Sequence, residues 1–583
     1  MRVEECVFTT HDGVELFYRH WPAADTPRGA VILLHRGHEH SGRMEHLVGE
    51  LGLPGFSFFA WDARGHGRSP GARGDSPSFA TSARDLQGFV DHIAATHGIA
   101  VEDMVVVAQS VGAVLAATWA HDYAPRIRCM VLASPAFKVK LYVPFARPGL
   151  KLLESVSPGR FVNSYVKAKF LTHDAARIAS YDTDPLITRA ISVKILTQLY
   201  EAAERVVADA RAIAIPTQLL ISGADWVVHH GPQHRFFENL GSPLKERHVL
   251  PGFYHDTLGE KDRAVALDHA RRFIEARFAQ NLTRPSLLEA DRWGYTRDEA
   301  DRLSTPLPLF SARGLYWAMT RFWLKVGGLF SRGIKVGHDT GFDSGSSLDY
   351  VYRNTPEGLG PIGRLVDRIY LYSIGWRGIR QRKLHVEELI RRALARLSGE
   401  GKPARIMDIA AGHGRYVLEA LESAHEPKPE QITLRDFSPI NVEAGGKLIE
   451  AKGLGGIARF VRADAFDPAS FEGIAPAPTL GIVSGLYELF PDNEMVRRSL
   501  AGFARAIPEG GYLLYTNQPW HPQIELIARA LTSHREGAAW VMRRRTQEEM
   551  DQLVAEAGFS KIEQRIDGWG IFTVSLAQRR AAA

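Results

Sequence analysis

Ser110 lies in Ala108-Gln109-Ser110-Val111-Gly112, between the apolar stretch Met104–Ala108 and the small-residue stretch Val111–His121. A strand that turns sharply into a helix pushes the intervening hydroxyl out of the backbone. Small residues two positions to either side let the helix pack close to the strand. A hydroxyl needs a base to take its proton and a carboxylate to orient that base. Asp225 follows the apolar stretch Thr217–Ser222, and His255 follows His248–Leu250. Singly they read as a turn serine, a helix cap and a loop histidine. Serine, acid and histidine in this chain order, each at the end of a strand, predict nucleophilic acyl transfer. By position, the amides of Gly37 and Val111 are expected to form the oxyanion hole.

A second constellation begins at Arg405. The run from Met407 to Tyr416, Met407-Asp408-Ile409-Ala410-Ala411-Gly412-His413-Gly414-Arg415-Tyr416, reads as a strand entering a small-residue turn and then a helix. Glycines there let a ligand approach the backbone closely. A dinucleotide fingerprint would need glycine at Val417, so that reading is excluded. Asp436 ends the next strand, Gln431–Asp436, and is placed to accept ribose hydroxyls. Asp464 and Ala465 end Arg459–Ala463, and Ser484 ends Leu480–Ser484. Polar tips at the carboxyl ends of neighbouring strands form one ligand crevice. Tyr487, Glu488, Asn517, Trp520 and His521 lie in later loops on the open side and are candidates for an acceptor-substrate site; a plain polar loop is the alternative for each.

These residues need two frameworks. Strands at Ala30–Leu34, Phe56–Trp61, Met104–Ala108, Cys129–Ala133 and Thr217–Ser222 alternate with helix-length segments, and a second such series starts near Arg405. Both predict parallel sheets with helices on both faces, an α/β class with two doubly wound domains. A chain of 583 residues exceeds one core. The expected domains are 1–279, with a lid over about 136–211; a partly helical connector, 280–383, docked on the last domain; and 384–583. Thr546-Gln547-Glu548-Glu549 is a capping box opening a helix that closes at Gly558, followed by a terminal hairpin.

The first half resembles the serine aminopeptidase S33 / monoacylglycerol lipase branch of the α/β-hydrolases. Besides the elbow, it shares His35-Arg36-Gly37-His38-Glu39-His40-Ser41 and Asp62-Ala63-Arg64-Gly65-His66-Gly67-Arg68-Ser69. The resemblance implies esterase or lysophospholipase chemistry on a lipid-like ester. Arg36 and Ala108 replace glycines of that pattern, and Arg36 is expected to press on the oxyanion loop. Two alternatives stay open: a hydrolase fold that has lost catalysis and docks substrate, and a peptidase. The second half resembles class I S-adenosylmethionine-dependent methyltransferases, whose pattern is D-x-G-x-G-x-G, with Ala410 replacing the first glycine. Its Ser484–Asn493 run is similar to a family of methyltransferases found fused to hydrolases. The implied cofactor is S-adenosyl-L-methionine, held by Asp408, Ala410, Gly412, Gly414, Asp436, Asp464, Ala465 and Ser484. No metal is expected.

The net charge is +5 and there are two cysteines, which exclude a disulfide scaffold. There is no apolar leader and no nucleic-acid-binding motif, so a cytoplasmic protein without nucleic-acid partners is expected. Two stretches combine basic and aromatic residues. The lid has Lys138, Lys140, Arg147, Lys151, Arg160, Lys167 and Lys169 among Phe137, Tyr142, Phe145, Phe161 and Tyr165. The connector has Tyr316, Trp317, Phe322, Trp323 and Phe330 among cations, and Arg313–His338 holds no acid. Both suit peripheral contact with an anionic membrane. The alternatives are a solvated face over an acyl pocket for the lid, and a substrate cover on the methyltransferase for the connector.

Overall fold

The computed structural model describes residues 2–141, 146–164, 166–281, 283–422 and 428–581. Tyr142, Phe145 and Tyr165 of the lid expectation lie outside them. The chain divides into two units, Met1–Pro285 and Ser286–Ala583.

The first unit is built on β1 (Glu4–Thr9), β2 (Glu15–Trp21), β3 (Gly29–Leu34), β4 (Phe56–Trp61), β5 (Met104–Gln109) and β6 (Cys129–Ala133). A short ribbon, β7 (Phe161–Asn163) and β8 (Ala190–Ser192), precedes β9 (Thr217–Ser222) and β10 (Lys245–Leu250). The main sheet has the order β1-β2-β4-β3-β5-β6-β9-β10, antiparallel at the β1 and β2 edge and parallel beyond. Every residue of β3, β4, β5, β6 and β9 is buried, as strands covered on both faces by helices must be. Register places the chemistry. Leu34 pairs with Ala108, so the loop after β3 emerges beside Ser110. Ser222 pairs with Leu250, so the loops carrying Asp225 and His255 emerge together. Between β6 and β9 the segment expected as a lid contributes helices Ala146–Val156, Ala175–Thr183 and Val193–Ala208.

The second unit has β11 (Arg405–Ile409), β12 (Gln431–Asp436), β13 (Ala458–Arg462), β14 (Leu480–Val483), β15 (Tyr512–Asn517), β16 (Phe559–Ile566) and β17 (Thr573–Arg579). Their order is β13-β12-β11-β14-β15-β17-β16, with an antiparallel β16/β17 hairpin at the edge. The strand order reverses between β11 and β14, so the loops after them diverge and leave a crevice at their carboxyl ends. Thr546 caps Gln547–Glu556 by accepting from the Glu549 amide, as the capping box predicts.

The segment before β11 differs from expectation. It is a run of helices: Ala290–Trp293, Tyr295–Ser304, Ala312–Gly328, Arg332–Thr340, Gly345–Arg353, Gly360–Leu371 and Ile374–Gly399. The last runs straight through the expected boundary at 383/384. Its buried stripe, Trp376, Ile379, Val386, Leu389, Ile390, Ala393, Leu394 and Leu397, continues without a break into the core against the sheet. A reading anchored on strand rhythm cut that helix in two.

Candidate active sites

At the end of β5, Ser110 adopts φ +56° and ψ −114°, a conformation disfavoured for any residue with a side chain. It is held by its amide donating to the Ala133 carbonyl at 2.9 Å. Gly112 explains why the turn tolerates so little bulk: a Cβ there would come within 2.5 Å of the His35 carbonyl oxygen. Helix Val111–Tyr123 therefore starts directly against the end of β3.

Ser110 Oγ is 2.7 Å from His255 Nε2, and His255 Nδ1 is 2.8 Å from Asp225 Oδ2. Asp225 Oδ1 accepts from the amides of Val227 and Val228 at 2.7 and 3.0 Å. Burial opposes ionisation of Asp225, but the His255 ring and these amides outweigh it and hold its carboxyl below the usual value. Gly37 stands against Val111, since a Cβ on Gly37 would lie 3.1 Å from the Val111 side chain. The two oxyanion candidates are thus neighbours on the wall of one cavity. The Asp62 motif is structural: its carboxylate accepts from the Ser41 and Arg68 amides at 2.6 and 2.7 Å and so pins the loop carrying Gly37.

Arg36 does not press on the oxyanion loop. It is buried and turned into an ion-pair network with Glu39, at 2.9 Å from Nε, and with Asp256, at 3.7 Å. Arg43 and Arg177 complete the network at 3.5 Å from Glu39 and 3.0 Å from Asp256. Gln109 also donates to Asp256 at 2.9 Å. The neighbours of the nucleophile and of the base are therefore tied to Arg36.

Ser110 and His255 open onto a cavity of about 460 Å³ whose walls include Leu150, Leu153, Val162, Leu196 and Leu199. A second cavity of about 580 Å³ shares Val139, Leu141 and Tyr200 with it and is lined by Lys138, Arg147, His229 and Arg235. The lid's basic charge is partly neutralised within the unit. Arg147 pairs with Glu204, Lys151 pairs with Glu201, and Lys140 donates to the Asp225 carbonyl at 2.5 Å.

One buried histidine is flanked by two carboxylates. His121, at the end of the nucleophile helix, lies between Asp122 at 2.7 Å and Asp209 at 2.9 Å, and Arg205 of the lid helix pairs with Asp122. Burial alone would lower its pKa; the two carboxylates outweigh burial and raise it above the usual value. A raised histidine contributes stability that is complete below its unfolded pKa of about 6.5 and is lost as pH rises through the folded value. The expected result is a urea midpoint that falls from pH 6 toward alkaline pH. In His121→Gln this dependence should flatten; an unchanged slope would exclude His121 as its source.

In the second unit, Ala410 adopts φ +51° where the methyltransferase pattern has glycine. Gly414 is required by space as well as by its φ of +71°, because a Cβ would lie 2.4 Å from Leu434. The Gly412 amide donates to Asp436 Oδ2 at 2.9 Å, and Asp436 Oδ1 accepts from the Ser438 amide and the Asn441 side chain. The loop and Asp436 are thus one unit.

Around this loop Arg382 Nε and Glu488 Oε2 are buried with no hydrogen-bond partner among the described residues, while the buried Asp408 carboxyl and Tyr416 hydroxyl face each other. Burial lifts the Asp408 carboxyl well above the usual range. Unmet donors and acceptors beside a glycine loop fit a ligand carrying both an ammonium and a carboxylate, as S-adenosylmethionine does. Asp464 is exposed and caps its own turn through the Phe466 amide, Ala465 packs against a hydrophobic cluster, and Ser484 is buried at the end of β14.

The acceptor candidates do not form one open set. Tyr487 points into the core and donates to Ser499 at 3.0 Å, so it is withdrawn from that role. Its loop is held by Arg545, which donates to the Tyr487, Phe490 and Asp492 carbonyls. Glu488 accepts from Thr516 at 2.8 Å and lies 3.7 Å from the buried Arg382. The Asn517 side chain donates to the Arg545 carbonyl, and Trp520 stacks under Arg544. His521 is buried and pushed down to about 3 by burial, next to Gly375.

Sequence reasoning missed three contributors. Gly345, at the start of helix Gly345–Arg353, lies against the glycine loop: a Cβ on Gly412 would be 3.5 Å from the Gly345 Cα. Asp349 of the same helix pairs with Arg415 at 2.6 Å. The small residues of Gly341–Ser347, inside the expected connector, were the signal. Arg382 gave no signal, being one of many cations on a helix.

Residues 270–579 match the family model described as "Putative methyltransferase", and residues 25–262 match that described as "Serine aminopeptidase, S33". The chain is 56% identical over 578 residues to "Uncharacterized protein YnbC" of Escherichia coli (strain K12), covering 99% of this chain and 98% of that one. Its first part is 28% identical over 269 residues to a "Monoacylglycerol lipase" of Mycolicibacterium smegmatis, covering 45% of this chain and 93% of that one. It is 29% identical over 248 residues to the "Monoglyceride lipase" of Homo sapiens, covering 42% of this chain and 80% of that one.

Proposed function

The chain belongs to the methyltransferase family that matches residues 270–579 and carries an S33-type serine hydrolase domain ahead of it, and from this we propose a bifunctional enzyme. One unit cleaves a lipid-like carboxylic ester; the other transfers a methyl group from S-adenosylmethionine. The observation that carries the reading is the Ser110–His255–Asp225 relay at the wall of an apolar cavity.

His255 Nε2 takes the Ser110 proton as Oγ attacks the ester carbonyl. Asp225 keeps the ring oriented and stabilises the imidazolium. The Gly37 and Val111 amides receive the developing oxyanion. His255 then returns the proton to the leaving alcohol and activates the water that releases the acid. Leu150, Leu153, Leu196 and Leu199 suit an acyl chain, and the basic cavity beside them suits a polar head. In a panel of p-nitrophenyl esters, monoacylglycerols and peptide amides, turnover should be confined to esters and rise with acyl length. Preferential peptide cleavage would replace this reading with a peptidase.

S-adenosylmethionine supplies an electrophilic methyl on sulfonium. The chain's own part is positioning. The Ala410–Gly414 backbone and Asp436 hold one side of the crevice, Arg382 and Glu488 offer unmet polar atoms, and the Asp408–Tyr416 pair lies beneath the loop. Asp436→Ala removes a charged acceptor and frees the Gly412 amide, so S-adenosylhomocysteine should bind roughly 10–100-fold more weakly by calorimetry. Unchanged affinity would remove Asp436 from the site; tight NAD binding by the parent would remove the methyltransferase chemistry.

A further inference from the structure

We propose that helices Ala312–Gly328 and Gly360–Leu371 form a face that seats the second unit on an anionic lipid surface, lying in the interface and not crossing it. The first helix turns Leu315, Met319, Phe322 and Trp323 outward, with 52, 60, 59 and 61% of their surface exposed, while Trp317 is buried beneath. The second turns Ile362, Leu365 and Ile369 outward, at 71, 55 and 65%, while Gly363, Asp367 and Leu371 face inward. The two are joined at their ends, where the Leu359 amide donates to the Phe330 carbonyl at 2.8 Å; Leu359 and Phe330 are themselves 74 and 43% exposed. Isolated exposed apolar residues are ordinary, but two helices that both pack on Arg332–Thr340 and present apolar sides outward ask for a cover.

Charge selects the cover. Arg321, Lys325, Arg332, Arg364 and Arg368 are exposed around this patch, and none makes an ion pair among the described residues. On the first helix itself only Arg313, near its start, is paired among the described residues, with Glu525. The acid of the second helix, Asp367, is buried and consumed by Ser331, the Gly333 amide and Tyr350. A second copy of the chain would bring unpaired cations against unpaired cations, whereas anionic headgroups neutralise them while the apolar side chains enter the acyl boundary. No described helix is long and apolar enough to cross a membrane, which leaves the interfacial mode.

The test uses the full-length chain and sedimentation with vesicles of phosphatidylcholine, alone or with one third phosphatidylglycerol. The parent should bind the anionic vesicles roughly tenfold or more tightly than the neutral ones, and high salt should erase most of that difference. Phe322→Ser/Trp323→Ser and Ile362→Ser/Ile369→Ser should each lose binding by roughly tenfold or more with unchanged melting, because the side chains carry no core packing. Arg364→Gln/Arg368→Gln should lose the anionic preference. The proposal is overturned if the parent binds neither vesicle or both equally. It is equally overturned if light scattering shows a dimer that the serine variants convert to monomers without vesicle binding in the parent. The readout is binding, so it stands apart from the catalytic reading.

Discussion

Ser110→Ala should lower ester hydrolysis by about 10³- to 10⁶-fold and leave melting and S-adenosylhomocysteine affinity at the parent values. The loss is large because every step of the relay passes through Oγ, which accepts its geometry from His255 at 2.7 Å. What remains is what the Gly37 and Val111 amides and the cavity contribute without a nucleophile. Stability should not move, since alanine inherits the same backbone at φ +56° and removes one hydroxyl. The methyl-transfer half should not respond, because the relay and its network lie wholly within Met1–Pro285 and the second unit has its own core. Turnover of a p-nitrophenyl ester near the parent rate would show that Ser110 is not the nucleophile.

The second large effect is on stability. Arg36→Ala would leave Glu39 and Asp256 buried with one cation each. Removing one partner of a buried ion pair typically costs about 3–5 kcal/mol, because the remaining charge stays dry and uncompensated. Arg43 and Arg177 keep the expected figure near the lower end, about 3 kcal/mol. For a unit of this size that corresponds to a fall of roughly 6–12 °C in the melting of the first unit. The pKa directions agree: the ion pairs hold Arg36 above its usual value and Glu39 and Asp256 below theirs, against the effect of burial. Ester hydrolysis should fall as well, since Asp256 follows the catalytic base and bonds Gln109 beside the nucleophile. Arg36→Ala combined with Glu39→Gln should recover part of the lost stability, because it removes the stranded charge. Calorimetry showing no change in Arg36→Ala would mean that the network is incidental.

Much of this arrangement was legible in the sequence for a specific reason. Parallel strands buried on both faces read as short apolar runs, so β3, β5, β6 and β9 were visible, and the residues at their ends followed. Ser110, Asp225 and His255 could be ordered along the chain because the fold puts strand ends together. The meaning of Arg36 was not legible. Its partner Asp256 is 220 positions away, and no local pattern shows that a bulky side chain will turn inward to an acid. The helices from Ala290 to Gly399 were half-seen because Ser311, Ser331, Ser344 and Ser373 sit at N-caps, and serines also punctuate linkers. Tyr487 looked like a loop residue on the open side, yet Arg545 draws that loop inward by three carbonyls. The connector's aromatics had two readings of equal merit in the sequence; only their burial separates Trp317 from Phe322 and Trp323.

The measurement that bears most directly on the account is covalent labelling with a fluorophosphonate followed by peptide mass spectrometry. Only a serine activated by a neighbouring base reacts rapidly with this reagent. The account predicts one adduct per chain, on the peptide containing Ser110, and none in Ser110→Ala. A parent protein that remains unlabelled, or a variant labelled as fast as the parent, would contradict it.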